Sequence, residues 1–143
     1  MRKKTAKSSP ARRSDCPISY ALDFVGDKWT LVVLRDLIIL RKRHFHEFLG
    51  SDEGIATNIL TDRLKQLESA GLVTRVRDPA QARRVVYAPT AKALDLLPAM
   101  LEILRWGDKY FAGSKAPRAL VRGIARDRDA LVAGLRSGHR GKR

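Results

Sequence analysis

The apolar positions near the start of the chain recur at helical spacing in two adjoining segments. In the first segment, residues 15–26, Pro17 suits an initial helical position and Gly26 suits a terminator, so a short helix is predicted. The second segment, residues 27–40, begins with Asp27 as a helix cap and has a nearly continuous apolar surface. It predicts a central helix that is largely buried.

Two further helices are predicted before any strand. Phe45 and Phe48 stand at helical spacing after a basic turn, and they predict a third short helix that ends near Gly50. Residues 56–70 repeat leucine at helical spacing and stop at Gly71, which suits the left-handed backbone of a helix end. This segment predicts the fourth helix.

The pattern changes to strand-like alternation after the fourth helix. Residues 72–89 alternate apolar and polar positions on both sides of a basic tip, which predicts a two-stranded hairpin with a wing over 75–87. Residues 90–111 predict a long amphipathic helix that Pro98 should kink or split in two. Residues 117–135 favour one more helix, although glycine interrupts the segment twice. The predicted fold is mostly α with a small β-hairpin wing, a winged helix-turn-helix.

The fourth predicted helix has short polar side chains where solvated helices usually carry Lys and Glu. At 100° per residue its leucines gather on one side, and the other side carries Thr57, Asn58, Thr61, Asp62 and Lys65. A helix in the major groove needs such groups, because Asn pairs with adenine, Asp accepts from cytosine and Thr contacts thymine. We therefore predict that this face contacts DNA bases. The alternative is a polar face that only caps and solubilises the helix.

Basic side chains on neighbouring segments extend this predicted DNA surface. They are Arg75, Arg77, Arg83 and Arg84 on the hairpin, and Lys42, Arg43 and His44 before the third helix. The hairpin arginines would contact the DNA backbone or the minor groove as a wing. The second group would bind phosphate beside the first amides of the third helix. Arg63 lies inside the apolar arc of its helix, so we expect it to pair with a core-side carboxylate or to extend its charge to the surface.

The net charge of +14 lies almost wholly at the two ends of the chain. Residues 1–13 hold six basic and no acidic residues, and residues 115–143 hold nine basic and two acidic residues, so these segments carry +13. We predict a flexible basic N-terminal arm (1–13), a winged-helix DNA-binding and dimerisation domain (14–112) and a basic, partly helical C-terminal extension (113–143). The arms favour non-specific attraction to a polyanion. Their alternative role is that of disordered solubilising tails.

The composition and motifs disfavour several other classes of protein. A hydrophobic fraction of 44% allows a real core. No apolar stretch follows the basic N-terminus, and residues 29–40 are too short and too charged to span a bilayer, so we expect a cytoplasmic protein without a membrane partner. His44 and His46 point to different sides of a helix, so no metal site is expected. Nucleophile elbow, phosphate-loop and paired-cysteine motifs are lacking, and we expect neither an enzyme nor a cofactor.

Cys16 is the single cysteine, so it cannot form an internal disulfide, which suits a reducing cytoplasm. If Pro17 is the first helical residue, Cys16 is the helix N-cap, beside free amides and near Arg12 and Arg13. This environment favours a thiolate. One hypothesis is a redox or electrophile switch at Cys16. The other is a passive small residue packed at a dimer interface.

Several of these motifs, in this order and spacing, resemble one known family. The segments CPISYALDFVGDKWTLVVLRDL, HFHEF, GIATNILTDRLKQLESAGLVTR and RRVVYAPT are similar to those of HxlR-type winged-helix bacterial transcription regulators, relatives of the MarR regulators. The resemblance covers roughly residues 15–110 and includes Trp106.

The resemblance implies a homodimeric, sequence-specific transcription regulator that binds double-stranded DNA at a near-palindromic operator. Residues 56–70 would be the recognition helix and the hairpin the wing, with the first helix and the C-terminal helices building the dimer. Trp29, Leu34, Leu60 and Leu64 would be core residues. The resemblance alone makes repression the expected effect on transcription. It also implies a small-molecule or electrophile effector.

Three positions depart from the family pattern, and two rival functions stay open. Ala56 replaces the usual Ser or Thr cap before the recognition helix, which should cost about 1 kcal/mol or shift the cap. Pro89 and Ala93 replace the usual Leu and Gly at the end of the wing. One rival is a non-specific or architectural nucleic-acid-binding protein whose basic arms dominate binding. The other is a protein-interaction winged helix that never contacts bases.

Overall fold

The computed structural model describes residues 13–139, which form seven helices and one two-stranded antiparallel sheet. The elements are α1 (Pro17–Val25), α2 (Thr30–Ile38), α3 (Phe45–Leu49), α4 (Thr57–Ser69), β1 (Val73–Arg77), β2 (Val85–Pro89), α5 (Ala91–Leu94), α6 (Leu97–Tyr110) and α7 (Arg118–Ser137). This order confirms the predicted winged helix-turn-helix. The predicted N-terminal arm, residues 1–13, lies outside the described residues except for Arg13. Residues 140–143 of the predicted extension lie outside them as well.

The helix boundaries follow the capping residues of the sequence. Asp27 Oδ2 accepts hydrogen bonds from the Trp29 and Thr30 amides at 3.0 and 3.1 Å, so it caps α2 as predicted. Ala56 is the N-cap of α4 and supplies no side-chain bond, as its missing hydroxyl predicts. Gly71 follows the helix with a φ of +73°, a conformation that any other side chain would strain.

The long helix predicted over 90–111 is split into α5 and α6. Pro98 lies in the first turn of α6, where its missing amide N–H costs no helical hydrogen bond. The Thr90 hydroxyl accepts from the Ala93 amide at 3.3 Å and caps α5. The predicted effect of the proline is therefore confirmed as a split.

The hairpin forms the small sheet of the fold. β1 and β2 pair antiparallel from Val73 opposite Pro89 to Arg77 opposite Val85. Pro89 occupies the last position of its strand, where a missing amide donor is tolerated. The Tyr87 amide donates to the Arg43 carbonyl at 2.8 Å, so the segment before α3 runs beside β2.

The core lies where α2, α4 and α6 meet the inner side of the hairpin. The predicted core residues Leu34, Leu60 and Leu64 are buried, and Trp29 packs partly buried against the same cluster. Fully burying one leucine contributes roughly 1.5–3 kcal/mol, so the leucine stripe fixes which side of α4 faces outward.

The predicted last helix is present as α7, a packed element that bends once. Ile124 is buried against the core, and the helix packs along α6. At Asp127 the backbone leaves helical geometry, and the Asp127 carboxylate accepts from the Ala130 amide at 3.0 Å to cap the next turn. The ion pairs of α7 are Arg118 with Asp108, Arg128 with Glu102 and Arg136 with Asp95. Within residues 13–139, every helix is too short or too polar to cross a membrane.

Candidate nucleic-acid interface

The outer side of α4 carries the predicted base-contacting residues. We call Thr57, Asn58, Thr61, Asp62 and Lys65 the α4 polar face; Thr61 is half-buried and the other four are exposed. The Thr61 hydroxyl donates to the Thr57 carbonyl at 2.9 Å. Its proton is therefore used within the helix, while its lone pairs and methyl group stay available.

Arg63 joins α4 to the start of α2, which confirms the prediction that it pairs with a carboxylate on the core side. Its Nε donates to Asp27 Oδ2 at 2.7 Å, and its Nη1 donates to Asp62 Oδ2 at 2.6 Å. Partial burial opposes ionisation of Asp27, but hydrogen bonds led by that from Thr30 outweigh it and lower the Asp27 pKa. Asp62 is left with Oδ1 to accept from a base.

Arg75 brings the hairpin beside the α4 polar face. It lies opposite Tyr87 across the two strands, on the side of the hairpin that is turned toward α4. A depression between the two elements is lined by Thr61 and Lys65 from the helix and by Arg75 from the strand. The structure therefore brings two predicted base-contacting residues, Thr61 and Lys65, together with the wing residue Arg75 on one concave surface.

The remaining wing arginines continue this surface toward the tip of the hairpin. Arg77 and Arg83 line a second depression next to Arg75, and Arg84 is exposed. The tip is a closed turn, in which the Asp78 amide donates to the Arg84 carbonyl at 2.8 Å. All four predicted wing arginines are thus exposed on an ordered hairpin.

The basic group before α3 is half-buried and makes contacts within the protein, so its phosphate binding stays a prediction. Arg43 Nη1 donates to the Leu37 carbonyl at 3.1 Å, and Arg43 Nη2 donates to His139 Nδ1 at 2.9 Å. His44 is the N-cap of α3 and contacts Glu47 Oε1 through Nδ1 at 3.1 Å. We therefore leave Arg43 and His44 out of the proposed DNA contacts.

The sequence contains signals for these hydrogen bonds within the protein. Glu47 follows His44 by three residues, the spacing of a capping box, and its carboxylate accepts from the His44 amide at 3.1 Å. Asp36 is 1% exposed and precedes Lys42 by six residues, and the Lys42 ammonium donates to it at 2.9 Å. Within the described residues, no group of three or more metal-binding side chains occurs.

A partly buried charge cluster that the sequence reasoning missed holds the turn before α4. Arg35 Nε donates to Asp36 Oδ1 at 2.9 Å, and Arg35 Nη2 donates to Glu53 Oε2 at 3.0 Å. Ser51 donates to Glu53 at 2.5 Å. The hydrogen bond from Arg35 lowers the pKa of Glu53 to about 2. The cluster therefore ties the turn between α3 and α4 to α2, and so positions the start of α4.

Cys16 occupies the predicted N-cap of α1 and is exposed. The backbone amides of Ser19 and then Ile18 lower the pKa of its thiol. Arg13 pairs with Asp23 at 2.9 Å instead of with the sulfur. Arg12, the other predicted neighbour, lies outside the described residues. Among the described residues, the amides at the helix start lower the thiol pKa, and Arg13 does not contact the sulfur.

Two apolar faces have no partner within the described residues. None of the nine residues of α1 is buried, and Ile18 is 71% exposed. On α6, Ile103, Trp106 and Tyr110 are exposed at the spacing of one helix face, and Trp106 is 68% exposed. Contiguous exposed apolar surface of this kind marks an interaction site.

A family model described as HxlR-like helix-turn-helix matches residues 24–115. The chain belongs to this family. Among its HxlR-like relatives, the HTH-type transcriptional regulator sll1512 of Synechocystis is 31% identical over 108 residues, which are 76% of this chain and 79% of the relative. The regulator BH0655 of Halalkalibacterium halodurans is 36% identical over 95 residues, 66% of this chain and 84% of the relative.

Solved structures of similar fold support the same assignment. The structure of PA1607, which is described as a transcription factor, superposes on this chain with a TM-score of 0.67. The two are 30% identical, over 77% of this chain and 75% of PA1607. The redox regulator HypR in its oxidised form has a TM-score of 0.61 and 30% identity, over 67% and 98%. The quinone-bound YodB of Bacillus subtilis has a TM-score of 0.53 and 26% identity, over 66% and 100%. This HxlR-like chain is therefore a transcription regulator with a helix-turn-helix DNA-binding fold.

Proposed function

We propose that the protein binds a near-palindromic operator as a homodimer and acts as a repressor. The α4 polar face contacts base edges in the major groove, and the four hairpin arginines contact the backbone or the minor groove beside it. The observation that carries this proposal is the concave surface shared by Lys65, Thr61 and Arg75. Short acceptors and donors on the helix suit base edges, and exposed guanidinium groups suit phosphate.

The dimer follows from the two unpartnered apolar faces. Val25 packs against the core, but Ile18, Tyr20 and Leu22 of α1 stay at least half exposed, and a partner would bury them. A second copy supplies an identical surface, which a two-fold axis makes self-complementary. Two copies of α4 would then contact half-sites roughly 34–36 Å apart, one turn of DNA.

Selecting bound genomic fragments with the purified full-length protein tests this function. We expect recovered fragments to share two inverted half-sites spaced by about one helical turn, and sedimentation should give the mass of a dimer. Fragments without a common motif would contradict sequence-specific binding. A single half-site bound by a monomer would contradict the dimer. Genes beside the recovered sites, assayed with and without the regulator, would separate repression from activation.

Two observations disfavour the rival in which the basic C-terminal extension dominates binding as a free arm. Three arginines of α7 are paired with carboxylates of the same chain. The helix also contributes Ile124 to the core. Its charge is thus partly neutralised and its backbone is fixed, whereas an architectural arm would keep both free for DNA.

We further propose that Cys16 is the effector site, at which an oxidant or an electrophile modifies the thiolate. Its exposure and lowered pKa support this role, and the similar fold of a redox regulator and of a quinone-bound regulator agrees with it. α1 also carries the proposed dimer face. A modification at its N-cap would therefore change the distance between the two copies of α4 and their fit to the two half-sites.

Diamide would oxidise the Cys16 thiols of two subunits to one disulfide and would itself be reduced to the hydrazine. This treatment should weaken operator binding by at least about fivefold, the effect of an allosteric coupling free energy of about 1–3 kcal/mol. Cys16→Ser keeps a small polar cap, so it should bind the operator like the untreated protein and should not respond to diamide. Electrophoretic mobility shifts with both proteins would measure this. A thiol pKa near the unperturbed value of roughly 8.5, together with unchanged affinity after treatment, would exclude the switch.

A further inference from the structure

Arg43 joins three parts of the fold that are distant in sequence. Its Nη1 donates to the Leu37 carbonyl at the end of α2, at 3.1 Å. Its Nη2 contacts Nδ1 of His139, which follows α7, at 2.9 Å. Its carbonyl accepts from the Tyr87 amide of β2 at 2.8 Å. One residue thus links the central helix, the C-terminal extension and the wing.

The partners of His139 fix its protonation state. Its Nε2 lies 2.8 Å from the Ile38 carbonyl, which can only accept, so Nε2 must carry a proton. Its Nδ1 faces the Arg43 guanidinium, which can only donate, so Nδ1 must present a lone pair. Both bonds form together only with the neutral imidazole that is protonated at Nε2.

The charges around His139 oppose a second proton. Burial lowers its pKa most, and the nearby Arg43 and Arg41 cations lower it further, against the effect of the Ile38 carbonyl. The carboxylate nearest to Arg43 is Glu47, which is bonded to the Arg43 amide at 3.4 Å. A proton on Nδ1 would point a donor at a donor and break the contact with Arg43.

We propose that residues 118–139 form a clasp in which His139 holds Arg43 and, through the bond from Tyr87 to Arg43, positions the wing. His139 is a positioning residue, because it bonds to none of the residues proposed to contact DNA and acts through Arg43. The extension is thereby part of the DNA-binding unit, since it braces strand β2 through the bond from Tyr87 to Arg43. The effect on DNA rests on the proposed operator binding, whereas the bracing of the hairpin does not.

The clasp should weaken in mild acid. A histidine whose folded pKa lies below its ordinary value of 6.5 binds protons more readily when the clasp is open. The contribution of His139 is therefore complete above pH 6.5 and is lost as the pH falls from there through the lowered pKa. The hairpin should become more mobile over the same range.

Hydrogen exchange of the Tyr87 amide tests the clasp without DNA. In the full-length protein, His139→Ala should speed exchange of this amide by about fivefold at pH 7.5, the factor that one net hydrogen bond is worth. His139→Gln offers a donor and an acceptor that do not titrate, so it should keep the protection and lose its pH dependence. His46→Gln removes an exposed imidazole outside the clasp and should behave like the wild type.

Operator affinity is the second readout. From pH 7.5 to 5.5 the wild type and His46→Gln should lose about fivefold more affinity than His139→Gln, in line with one net hydrogen bond. If Tyr87 protection is the same in all four proteins and at both pH values, the clasp is refuted whatever the DNA result. If protection follows the prediction but no operator is found, the clasp stands and the proposed function falls. If Tyr87 protection and operator affinity depend on pH in His139→Gln as they do in the wild type, His139 is not the group that titrates.

Discussion

Replacing Arg35 by methionine should lower the free energy of unfolding by about 3 kcal/mol. Removing one partner of a buried ion pair costs roughly 3–5 kcal/mol because the other charge stays buried, and Asp36 is 1% exposed. We expect the lower end of that range because Lys42 still contacts Asp36 at 2.9 Å. Methionine keeps most of the apolar stem of Arg35, so lost packing contributes little. Urea titration monitored by circular dichroism measures the change.

Arg105→Met is the matched control. Arg105 pairs with Glu102 at 2.9 Å, but its side chain is 53% exposed, and exposed pairs contribute about 0–1 kcal/mol. The control should therefore unfold within about 0.5 kcal/mol of the wild type, as most surface substitutions do. If both variants lost the same amount of unfolding free energy, the burial of Asp36 would not explain the destabilisation by Arg35→Met.

The pH dependence of the same variant follows from Glu53. The hydrogen bond from Arg35 lowers the Glu53 pKa from 4.5 to about 2, so the unfolded chain binds a proton more readily between these values. This stabilisation is complete above pH 4.5 and is lost as the pH falls toward 2. The difference between the wild type and Arg35→Met should therefore narrow over that range. If the difference in unfolding free energy stayed constant over this pH range, the stabilisation would not depend on Glu53.

The elements that the sequence predicted are those governed by local chemistry. Pro98 cannot donate in a helix interior, so a split was expected, and Gly71 suits the left-handed backbone that ends α4. From its angle on the helix, Arg63 was predicted to pair with a core-side carboxylate or to extend its charge to the surface, and Asp27 is its partner at 2.7 Å. In each case the determining contact is fixed by residue spacing or by one helix face.

The features that the sequence did not predict depend on tertiary pairing. Arg43 and His44 follow a basic run that looks like a phosphate site, but their partners include Leu37 and His139. The contact to His139 spans 96 residues, and no periodicity encodes it. In the sequence, Arg35 is one of the charges that interrupt the apolar segment 29–40. Its pairing with Glu53 needed the fold to bring α2 and the following turn together.

Replacing Asn58 by alanine should weaken binding to the operator by about 1–3 kcal/mol, the discrimination that one bidentate base contact provides. Binding to random DNA should change much less, because Asn58 carries no charge. Asn58 is exposed in the first turn of α4, where alanine is at least as good a helix former, so folding should be unaffected. Fluorescence anisotropy with both DNAs at one salt concentration measures the two losses. Equal losses would exclude base contact by this residue.

Arg84→Ala is the informative counterpart, because it changes the other half of the same surface. Arg84 is exposed on the hairpin, and its proposed partner is phosphate, which is identical in every sequence. Its loss should weaken operator and random DNA alike and should lower the slope of affinity against salt by about one counterion. The two variants should therefore separate specificity on α4 from affinity on the wing. A change in sequence preference with Arg84→Ala would mean that the wing also contacts bases, and that the division of labour between helix and hairpin is wrong.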